Sequence, residues 1–297
     1  MATNSNLRLA KALVDNEFYT RPEDIAKELK QYESFFEKKI VYCNTDEPQS
    51  SYFAAYFHVN FAKLKLTSLY VSCLGDSKIY EYTGGNDLDL SCYRTSTMAK
   101  DNSYAFGDFR SEPCKTLISV ADIVVTNPPF SLFTEFISTI LSAHKDFIVV
   151  ANMNSLSNKY IRDCIDKNVF RVGYTTPSLF DTPEGELRHV NTLWFTTLPI
   201  VKNPEPFKGY MEYTEAHYPK YDEIPARNCN KVSEIPKDLP KGVVLGVPIT
   251  IMTKLDTNQF ETVKWDSDKF VSGFSCKSYK INGKKTYARV LIRRKEV

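Results

Sequence analysis

Along the first two thirds of the chain, short apolar runs alternate with segments in which apolar residues recur at helical spacing. Short runs rich in β-branched and apolar residues have the composition of buried strands. They predict strands at residues 40–43, 66–73, 123–125, 146–151, 170–174 and 192–197. Apolar residues at helical spacing predict helices at residues 22–39, 51–64, 133–141 and 158–167, and Ser111 begins another. This succession is typical of a mostly parallel sheet with helices on both faces.

Two segments depart from the alternation of strand and helix. Residues 79–82 and 88–93 predict a hairpin, with its turn at residues 84–86, as an insertion on the core fold. The last two predicted strands follow each other without a helix, which predicts an antiparallel pair at one end of the sheet. The polar residues 175–190 between them predict a loop that we expect to lie over the functional site.

The composition of the chain changes near Pro199. Eight of the 15 prolines lie between Pro199 and Pro248, where short irregular segments replace the helices. We therefore predict two domains, residues 1–198 and residues 199–297. Within the second, residues 246–255 predict a buried strand, residues 258–263 a short helix, and Asn282-Gly283 the turn of a hairpin.

The overall composition is that of an ordinary globular protein. The chain has 297 residues, 42% hydrophobic and 25% charged, with a net charge of only +2, so bulk charge neither demands nor excludes a nucleic-acid partner. The seven cysteines are scattered and never form a Cys-x-x-Cys pair, which argues against a zinc site or disulfide framework and favours a reducing cytosol. No apolar run approaches about 18 residues, and the polar N-terminus does not resemble a secretory signal.

Candidate chemistry lies at residues 122–130, where a buried strand ends at two consecutive prolines. Neither proline can donate a backbone hydrogen bond, and the residue before a proline is driven to an extended conformation. The side-chain oxygen of Asn127 and the carbonyl of Pro128 are two adjacent acceptors that suit an exocyclic amine. Phe130 offers a flat face, and stacking on a nucleobase contributes ~1–3 kcal/mol. This arrangement would direct the lone pair of an amine nitrogen at an electrophile.

An Asn-Pro-Pro-Phe sequence after a hydrophobic strand resembles the catalytic motif of amino-methyltransferases that use S-adenosylmethionine. The wider chain resembles the EcoRI-type adenine-N6 DNA methyltransferases. The matching stretches occur in the order of that family and cover nearly the whole chain, at residues 16–20, 41–48, 107–111, 127–133, 193–196 and 246–250.

This resemblance implies a Rossmann-like class I methyltransferase fold, α/β, with a mixed, mostly parallel seven-stranded sheet and a C-terminal target-recognition region. It implies a cytoplasmic, monomeric, site-specific enzyme that transfers a methyl group from S-adenosylmethionine to an adenine flipped out of double-stranded DNA. Such an enzyme is expected to be the modification enzyme of a restriction–modification system, or an orphan or phage methylase.

The resemblance also assigns roles to individual residues. Asn127, Pro128, Pro129 and Phe130 match the catalytic motif. The residues expected to contact the cofactor are Phe18, Tyr19, Thr20, Cys43, Asn44, Asp46, Asp108, Phe109 and Asn127. The turn after the first strand lacks the glycine that most methyltransferases carry there, a departure that the EcoRI-type family shares. Neither a metal nor a Ser-His-Asp set is expected.

Each of these cofactor assignments competes with a plain structural role. By composition alone, Phe18 and Tyr19 favour packing against the first helix. Asp46 is equally suited to capping a turn, and Asp108 to a loop ahead of a helix.

Residues 277–295 contain eight Lys or Arg residues and no acid. Strand alternation around the Asn282-Gly283 turn places Tyr287, Arg289 and Arg293 on one face. A basic ribbon that carries an aromatic residue is suited to contact DNA phosphates or a groove. The DNA-binding candidates are therefore Lys284, Lys285, Tyr287, Arg289 and Arg293. The alternative is a solvated basic surface.

Other functions remain open at the level of sequence. The same chemistry could act on cytosine N4, an RNA adenine or a protein glutamine, although cytosine-N4 enzymes more often carry Ser where this chain has Asn127. A different class is a non-catalytic DNA-binding protein on a degenerate methyltransferase fold, which the glycine-free turn favours. The chain has no Gly-x-x-x-x-Gly-Lys loop, which argues against a nucleotide-phosphate enzyme.

Overall fold

In the computed structural model, the described residues are 18–45, 49–85, 92–182, 184–200, 209–253, 255, 259–265, 279–286 and 289–295. They form two compact units. The first unit comprises Met1–Asn152 and Phe170–Ile200, and the second comprises Met153–Val169 and Val201–Val297.

The first unit is a mixed α/β structure. Its strands are β1 (Tyr19–Thr20), β2 (Ile40–Thr45), β3 (Ser68–Cys73), β4 (Lys78–Tyr82), β5 (Arg94–Thr97), β6 (Ile123–Thr126), β7 (Asp146–Asn152), β8 (Arg171–Val172), β9 (Leu179–Asp181), β10 (Leu187–His189) and β11 (Thr192–Thr196). Its helices are α1 (Pro22–Leu29), α2 (Tyr52–Val59), α3 (Phe61–Leu64), α4 (Glu112–Val120) and α5 (Phe133–Ser142), with 3₁₀ turns at Lys30–Phe35 and Phe130–Leu132.

Eight of these strands form one sheet in the order β5-β4-β3-β2-β6-β7-β11-β8. The four central strands are parallel, because β2 pairs with β3 and β6, and β6 pairs with β7. At one end β11 runs antiparallel to both β7 and β8, which confirms the predicted antiparallel pair. At the other end β4 and β5 form an antiparallel hairpin beside β3. The hairpin brings the strand number to eight, where the resemblance implies seven.

Apolar side chains cover both faces of the central strands. All four residues of β6 and the middle of β7 are buried, which explains why these strands are continuous apolar runs rather than alternating ones. One face packs against α1 and α2, where Phe53 meets Trp194 edge-on with ring centroids 6.1 Å apart. Helices α4 and α5 are anchored by their own buried apolar residues, and Ser111 caps the first of them through Cys114 N.

A smaller sheet has the order β1-β9-β10. Tyr19 and Thr20 pair with Asp181 and Phe180, and β10 pairs with the other edge of β9. The prediction of a loop at residues 175–190 is therefore wrong for the two strands inside it. Each has only three residues, which is too short for a local pattern to mark it, and β9 also pairs with the distant β1.

Three other boundaries differ from the predictions. The helix predicted to reach residue 39 becomes 3₁₀ after Leu29, and the helix predicted for residues 51–64 is interrupted at Asn60, whose amide bonds back to the Tyr56 carbonyl. The second strand of the inserted hairpin is β5 at Arg94–Thr97, which is later than predicted. Residues 86–91, which include most of the predicted strand, lie outside the described residues.

The second unit contains helix α6 (Lys159–Asp166) and a four-stranded sheet in the order β12-β13-β17-β14. These strands are β12 (Arg227–Asn228), β13 (Val244–Pro248), β14 (Phe260–Trp265) and β17 (Arg289–Arg294), and the 3₁₀ turns are Met153–Ser157, Val232–Glu234 and Ile249–Thr253. The strand predicted for residues 246–255 ends at Pro248. The helix predicted for residues 258–263 is wrong, because β14 pairs with β17 across a bulge and this long-range pairing overrides local spacing.

The predicted hairpin at Asn282-Gly283 is confirmed. Strands β15 (Lys280–Ile281) and β16 (Lys284–Lys285) pair antiparallel, and the two turn residues have φ of 50° and 74°, as the turn requires. The backbone N–H groups of Asn282 and Gly283 donate to the carboxylate of Asp222 at 2.9 and 2.8 Å, which anchors the turn.

A buried carboxylate ties α1 to the chain that leads into β9. Glu28 is fully buried, and its Oε1 accepts from the Tyr32 hydroxyl and the Tyr174 N–H, both at 2.8 Å. Its Oε2 accepts from the backbone N–H and the hydroxyl of Thr175, both at 2.7 Å. Gly173 leaves room for this carboxylate, since a Cβ there would lie 2.3 Å from Oε1. Burial, followed by the neighbouring Glu28, raises the pKa of Tyr32 well above its usual range, so its hydroxyl stays a donor.

We expect Glu28→Ala to lower the free energy of unfolding by roughly 2–5 kcal/mol, because it leaves several partly or fully buried donors without an acceptor. Urea denaturation followed by circular dichroism measures this. Glu23→Ala, on the same helix with an exposed side chain, is the control and should change stability by less than about 0.5 kcal/mol. Equal effects of the two variants would contradict a special role for Glu28.

Candidate active site at the ends of the parallel strands

The carboxyl ends of β2, β3 and β6 lie side by side at one edge of the large sheet. The hydroxyl of Thr126 at the end of β6 donates to the carbonyl of Asn44 near the end of β2, at 3.3 Å. Gly107 crosses the end of β3 so closely that a Cβ would lie 1.7 Å from the Cys73 carbonyl oxygen. Ligands of open α/β sheets bind at this edge.

Asn127 follows β6 directly, and only the nitrogen of its side-chain amide has a hydrogen-bond partner among the described residues. The Nδ2 group donates to the Phe18 carbonyl at 2.6 Å. Because a carbonyl can only accept, this contact fixes which end of the amide is the oxygen. Among the described residues no donor reaches Asn127 Oδ1, although this atom is buried. A buried acceptor without a partner costs free energy unless a ligand supplies a donor.

Aromatic rings cluster around Phe18, the residue whose carbonyl accepts from Asn127. Pro129 has φ −56° and ψ 121°, and Phe130 begins the 3₁₀ turn that leads into α5. The Phe130 ring lies 6.2 Å from that of Phe18, which meets Phe180 edge-on at 6.3 Å. The guanidinium of Arg188 lies over the Phe18 ring, 5.2 Å from its centroid. A planar apolar ligand with an amino group suits this environment.

The segment that includes Phe18, Tyr19 and Thr20 lies beside Asn127, through the contact with the Phe18 carbonyl. Thr20 is buried, and its hydroxyl has no partner among the described residues. Among the described residues Thr20 Oγ1 is thus a second buried polar atom without a partner, in a segment to which the family resemblance assigns cofactor contact. The residues present therefore fit a polar ligand.

Asn44 and Cys43 have structural contacts. The Asn44 amide donates to Ser72 Oγ at 2.9 Å and to the Gly107 carbonyl at 3.0 Å, which links the ends of β2 and β3 with the loop that crosses them. Cys43 is buried within the apolar core. Asp46 lies outside the described residues.

Asp108 and Arg110 form a tight ion pair in the loop before α4. Asp108 Oδ2 accepts from Arg110 Nη2 at 2.7 Å, and its Oδ1 accepts from Nε and from the Arg110 backbone N–H. The hydrogen bond with Asp108 raises the pKa of Arg110, although partial burial opposes it. Phe109 is buried edge-on against Phe136, with ring centroids 5.0 Å apart. Asp108 retains acceptor capacity on Oδ2.

Comparison with known proteins identifies the family. The family described as "Adenine-specific methyltransferase EcoRI" matches residues 6–295. The chain belongs to this family of adenine-specific methyltransferases. The type II methyltransferase M.EcoRI of Escherichia coli is 35% identical over 332 aligned residues, which cover 100% of this chain and 98% of that protein.

Two further relatives of this methyltransferase come from mycoplasmas. The type II methyltransferase M.MgeORF184P of Mycoplasma genitalium is 28% identical over 97% of this chain and 98% of its own length. The type II methyltransferase M.MpnI of Mycoplasma pneumoniae is 28% identical over 97% of each chain. No solved structure matches the chain.

The basic residues near the C-terminus of the methyltransferase are not equivalent. Lys284 and Lys285 are exposed on the anchored hairpin. Arg293 is exposed, and its Nε and Nη2 both donate to Oε1 of Glu261. Arg289 is only 7% exposed, and its Nε donates to Asn228 Oδ1 at 3.1 Å. The expected exposed ribbon is therefore wrong for Arg289, because β17 is a central strand with both faces covered there. Tyr287 lies outside the described residues.

Phe180 and Arg188 are site residues that the sequence did not reveal. The signal available was weak: two three-residue segments with β-compatible sequences inside a polar stretch. Across the described part of the chain, no cluster of three or more His, Cys, Asp or Glu could hold a metal ion. No helix there is long and apolar enough to cross a membrane.

We expect Gly107→Ala to destabilise the fold and to weaken binding of the methyl donor, because the Cβ would clash with the Cys73 carbonyl and the residue needs φ of +74°. Isothermal titration calorimetry and urea denaturation measure the two effects. Gly242→Ala is the matched control, since Gly242 also has positive φ but open space around its Cβ position. We expect the control to lose about 1 kcal/mol of stability and to bind the cofactor normally.

Proposed function

We propose that this methyltransferase transfers the methyl group of S-adenosylmethionine to N6 of an adenine at a specific sequence in double-stranded DNA. Its biological role would be the modification half of a restriction–modification system, or that of an orphan or phage methylase, as a monomer in the cytoplasm. The observation that carries the proposal is that Asn127 Oδ1, near Phe130, is buried and has no partner among the described residues. The type II names of its relatives support it.

We also propose a specific fold and domain assignment. We assign strands β3, β2, β6, β7, β11 and β8 to a Rossmann-like class I methyltransferase sheet, with β4 in place of the remaining strand of the expected seven. We further assign residues 1–198 to the catalytic domain and residues 199–297 to the target-recognition region.

The protein residues that would bind the cofactor follow from the open polar groups. Thr20 Oγ1 and the free acceptor of Asp108 would receive donors from S-adenosylmethionine, with Phe18, Tyr19 and Phe109 beside them. Cys43 and Asn44 belong to the strand that borders this site. Asp46 stays a cofactor-binding candidate from the sequence and lies outside the described residues. When bound, the cofactor supplies an electrophilic methyl group on a sulfonium.

The catalytic residues would position the amine. The target adenine must leave the duplex to reach Asn127, which costs a few kcal/mol of unstacking. Stacking on Phe130 offsets this cost, and Asn127 Oδ1 and the Pro128 carbonyl accept the two N–H groups of N6. These contacts hold the nitrogen lone pair in line with the methyl group, so the protein acts chiefly through proximity and orientation. The amine needs no base beforehand, because it becomes acidic only after methylation.

We expect Asn127→Ala to lower kcat by at least about 100-fold while cofactor affinity stays nearly unchanged, because the variant loses an acceptor for the amine. Asn127→Asp keeps an acceptor but places a carboxylate against the Phe18 carbonyl, so it should also lower kcat. Methylation is measured on long mixed-sequence DNA by sequencing that detects modified bases directly. Wild-type turnover by Asn127→Ala would contradict the catalytic assignment.

The wild-type protein in the same assay tests the substrate. N6-methyladenine at one short repeated site supports the proposal, whereas N4-methylcytosine overturns the choice of base. RNA and a protein extract are tested in parallel. Cofactor binding without any modified DNA would contradict DNA as the substrate.

We expect replacement of Lys284 and Lys285 by Ala to weaken DNA binding. It should make the slope of log affinity against log salt less steep by about 1.8, as expected for two lost phosphate contacts. Fluorescence anisotropy at several salt concentrations measures the slope. Arg289→Ala should instead lower stability, because Arg289 is buried against Asn228. An unchanged slope for the double lysine variant would contradict DNA contact by this hairpin.

A further inference from the structure

We propose that Arg188 contacts a DNA phosphate next to the flipped target adenine, at the rim of the pocket that contains Asn127. This inference rests on the proposed function and adds to it a DNA contact outside the basic C-terminal hairpin. It follows from the register of the small sheet, from the contacts of the Arg188 side chain, and from its lack of an acidic partner.

The register places Arg188 on the face of the small sheet that is turned to the catalytic motif. Thr20 is paired with Phe180, and Phe180 with Arg188, so these three side chains project from the same face. Phe18 precedes Thr20 by two residues and contacts both Phe180 and Arg188, which places it on this face as well. The opposite face carries residues such as Asp181 and Leu187.

This face borders the open acceptor. Phe18 is in contact with the catalytic motif through its ring, which lies 6.2 Å from the Phe130 ring, and through its carbonyl, which accepts from Asn127. Arg188 lies directly over the same Phe18 ring. The Phe18 ring therefore contacts both the guanidinium of Arg188 and the Phe130 ring on which the adenine would stack.

Arg188 is exposed and has no carboxylate within ion-pair distance among the described residues. Two other arginines of the first unit are engaged: Arg110 by Asp108, and Arg171 by the Thr197 and Leu198 carbonyls. The Phe18 ring holds one face of the Arg188 guanidinium and leaves its N–H edge for another ligand. A planar cation held in this way is suited to an oxyanion with several acceptors.

The position of Arg188 favours a phosphate of the DNA backbone. Each strand of a duplex carries one phosphate per residue, so a nucleotide turned out toward Asn127 brings its flanking phosphates to the rim of the pocket. A contact there holds the backbone while the base is turned out. The carboxylate of the cofactor is the other anion within reach of such a site. The exposure of Arg188 favours the phosphate, and the experiment below separates the two.

The test compares wild type, Arg188→Gln and Arg188→Lys on the full chain. The probe is a duplex that contains the site methylated by the wild-type enzyme, with S-adenosylhomocysteine present. We expect Arg188→Gln to bind roughly ten-fold more weakly, with a salt slope less steep by about 0.9. Arg188→Lys keeps the charge and should retain the slope. Arg94→Gln, an exposed arginine on edge strand β5, is the matched control and should match wild type.

A second measurement locates the phosphate. Neutral methylphosphonates replace, one at a time, the phosphates on either side of the target adenine. At one position, the methylphosphonate should weaken DNA binding by the wild type about as much as Arg188→Gln weakens binding to unmodified DNA. The same methylphosphonate should not weaken binding by Arg188→Gln any further. Additive losses at every position tested would overturn the assignment.

Calorimetry with S-adenosylmethionine separates the two anions. Unchanged cofactor affinity in Arg188→Gln agrees with a phosphate contact. Weakened cofactor affinity with an unchanged DNA salt slope would overturn the proposal in favour of the cofactor carboxylate. DNA and cofactor binding both unchanged would also overturn it. Failure of the proposed function itself is distinguishable, because the wild type would then methylate no DNA.

Discussion

The hydrogen bond from the Asn127 amide to the Phe18 carbonyl determines what the site can do. It joins the end of β6 to a segment more than 100 positions earlier in the chain, at 2.6 Å. Since the amide nitrogen is occupied there, the oxygen is the open end, and it is buried without a partner in the part of the chain that the structure describes. An amide in the opposite orientation would present a donor and could not receive an amino group. Backbone geometry in one segment thereby sets the chemistry of a side chain in another.

The position of Phe18 depends on structure farther from the site. Thr20 pairs with Phe180, and the chain leading to Phe180 is fixed to α1 by the three hydrogen bonds that Glu28 accepts from Tyr174 and Thr175. Burying a carboxylate that has no cationic partner is costly because the charge loses its hydration. Neutral hydrogen-bond donors offset that cost only when all of them are in place. The Glu28 contacts therefore contribute to the stability of the first unit and also help to position Phe180 beside Phe18.

The role of each basic residue depends on its partners in the structure rather than on its sequence context. Arg110 and Arg293 face carboxylates, and Arg289 is buried against Asn228. These contacts satisfy the cations inside the protein. Lys284, Lys285 and Arg188 are exposed, and these are the cations to which we assign DNA contacts. A run of basic residues in the sequence is thus a mixture of structural and available charges, and only burial and pairing separate them.

The sequence by itself determined the central parallel strands, the antiparallel end of the sheet, the position of the Asn127 motif and the turn at Asn282-Gly283. Each depends on a local signal: an uninterrupted apolar run, two consecutive prolines, or a pair of residues that tolerates positive φ. Only the tertiary structure decided the orientation of the Asn127 amide, the burial of Arg289, the strand at β14 and the strands that carry Phe180 and Arg188. The orientation of the Asn127 amide, the burial of Arg289 and the strand at β14 arise from contacts between distant segments, and the residues within each segment carry too little information to specify a partner elsewhere in the chain. Strands β9 and β10 have three residues each, which is too short for a local pattern to mark them, and β9 also needs the distant β1.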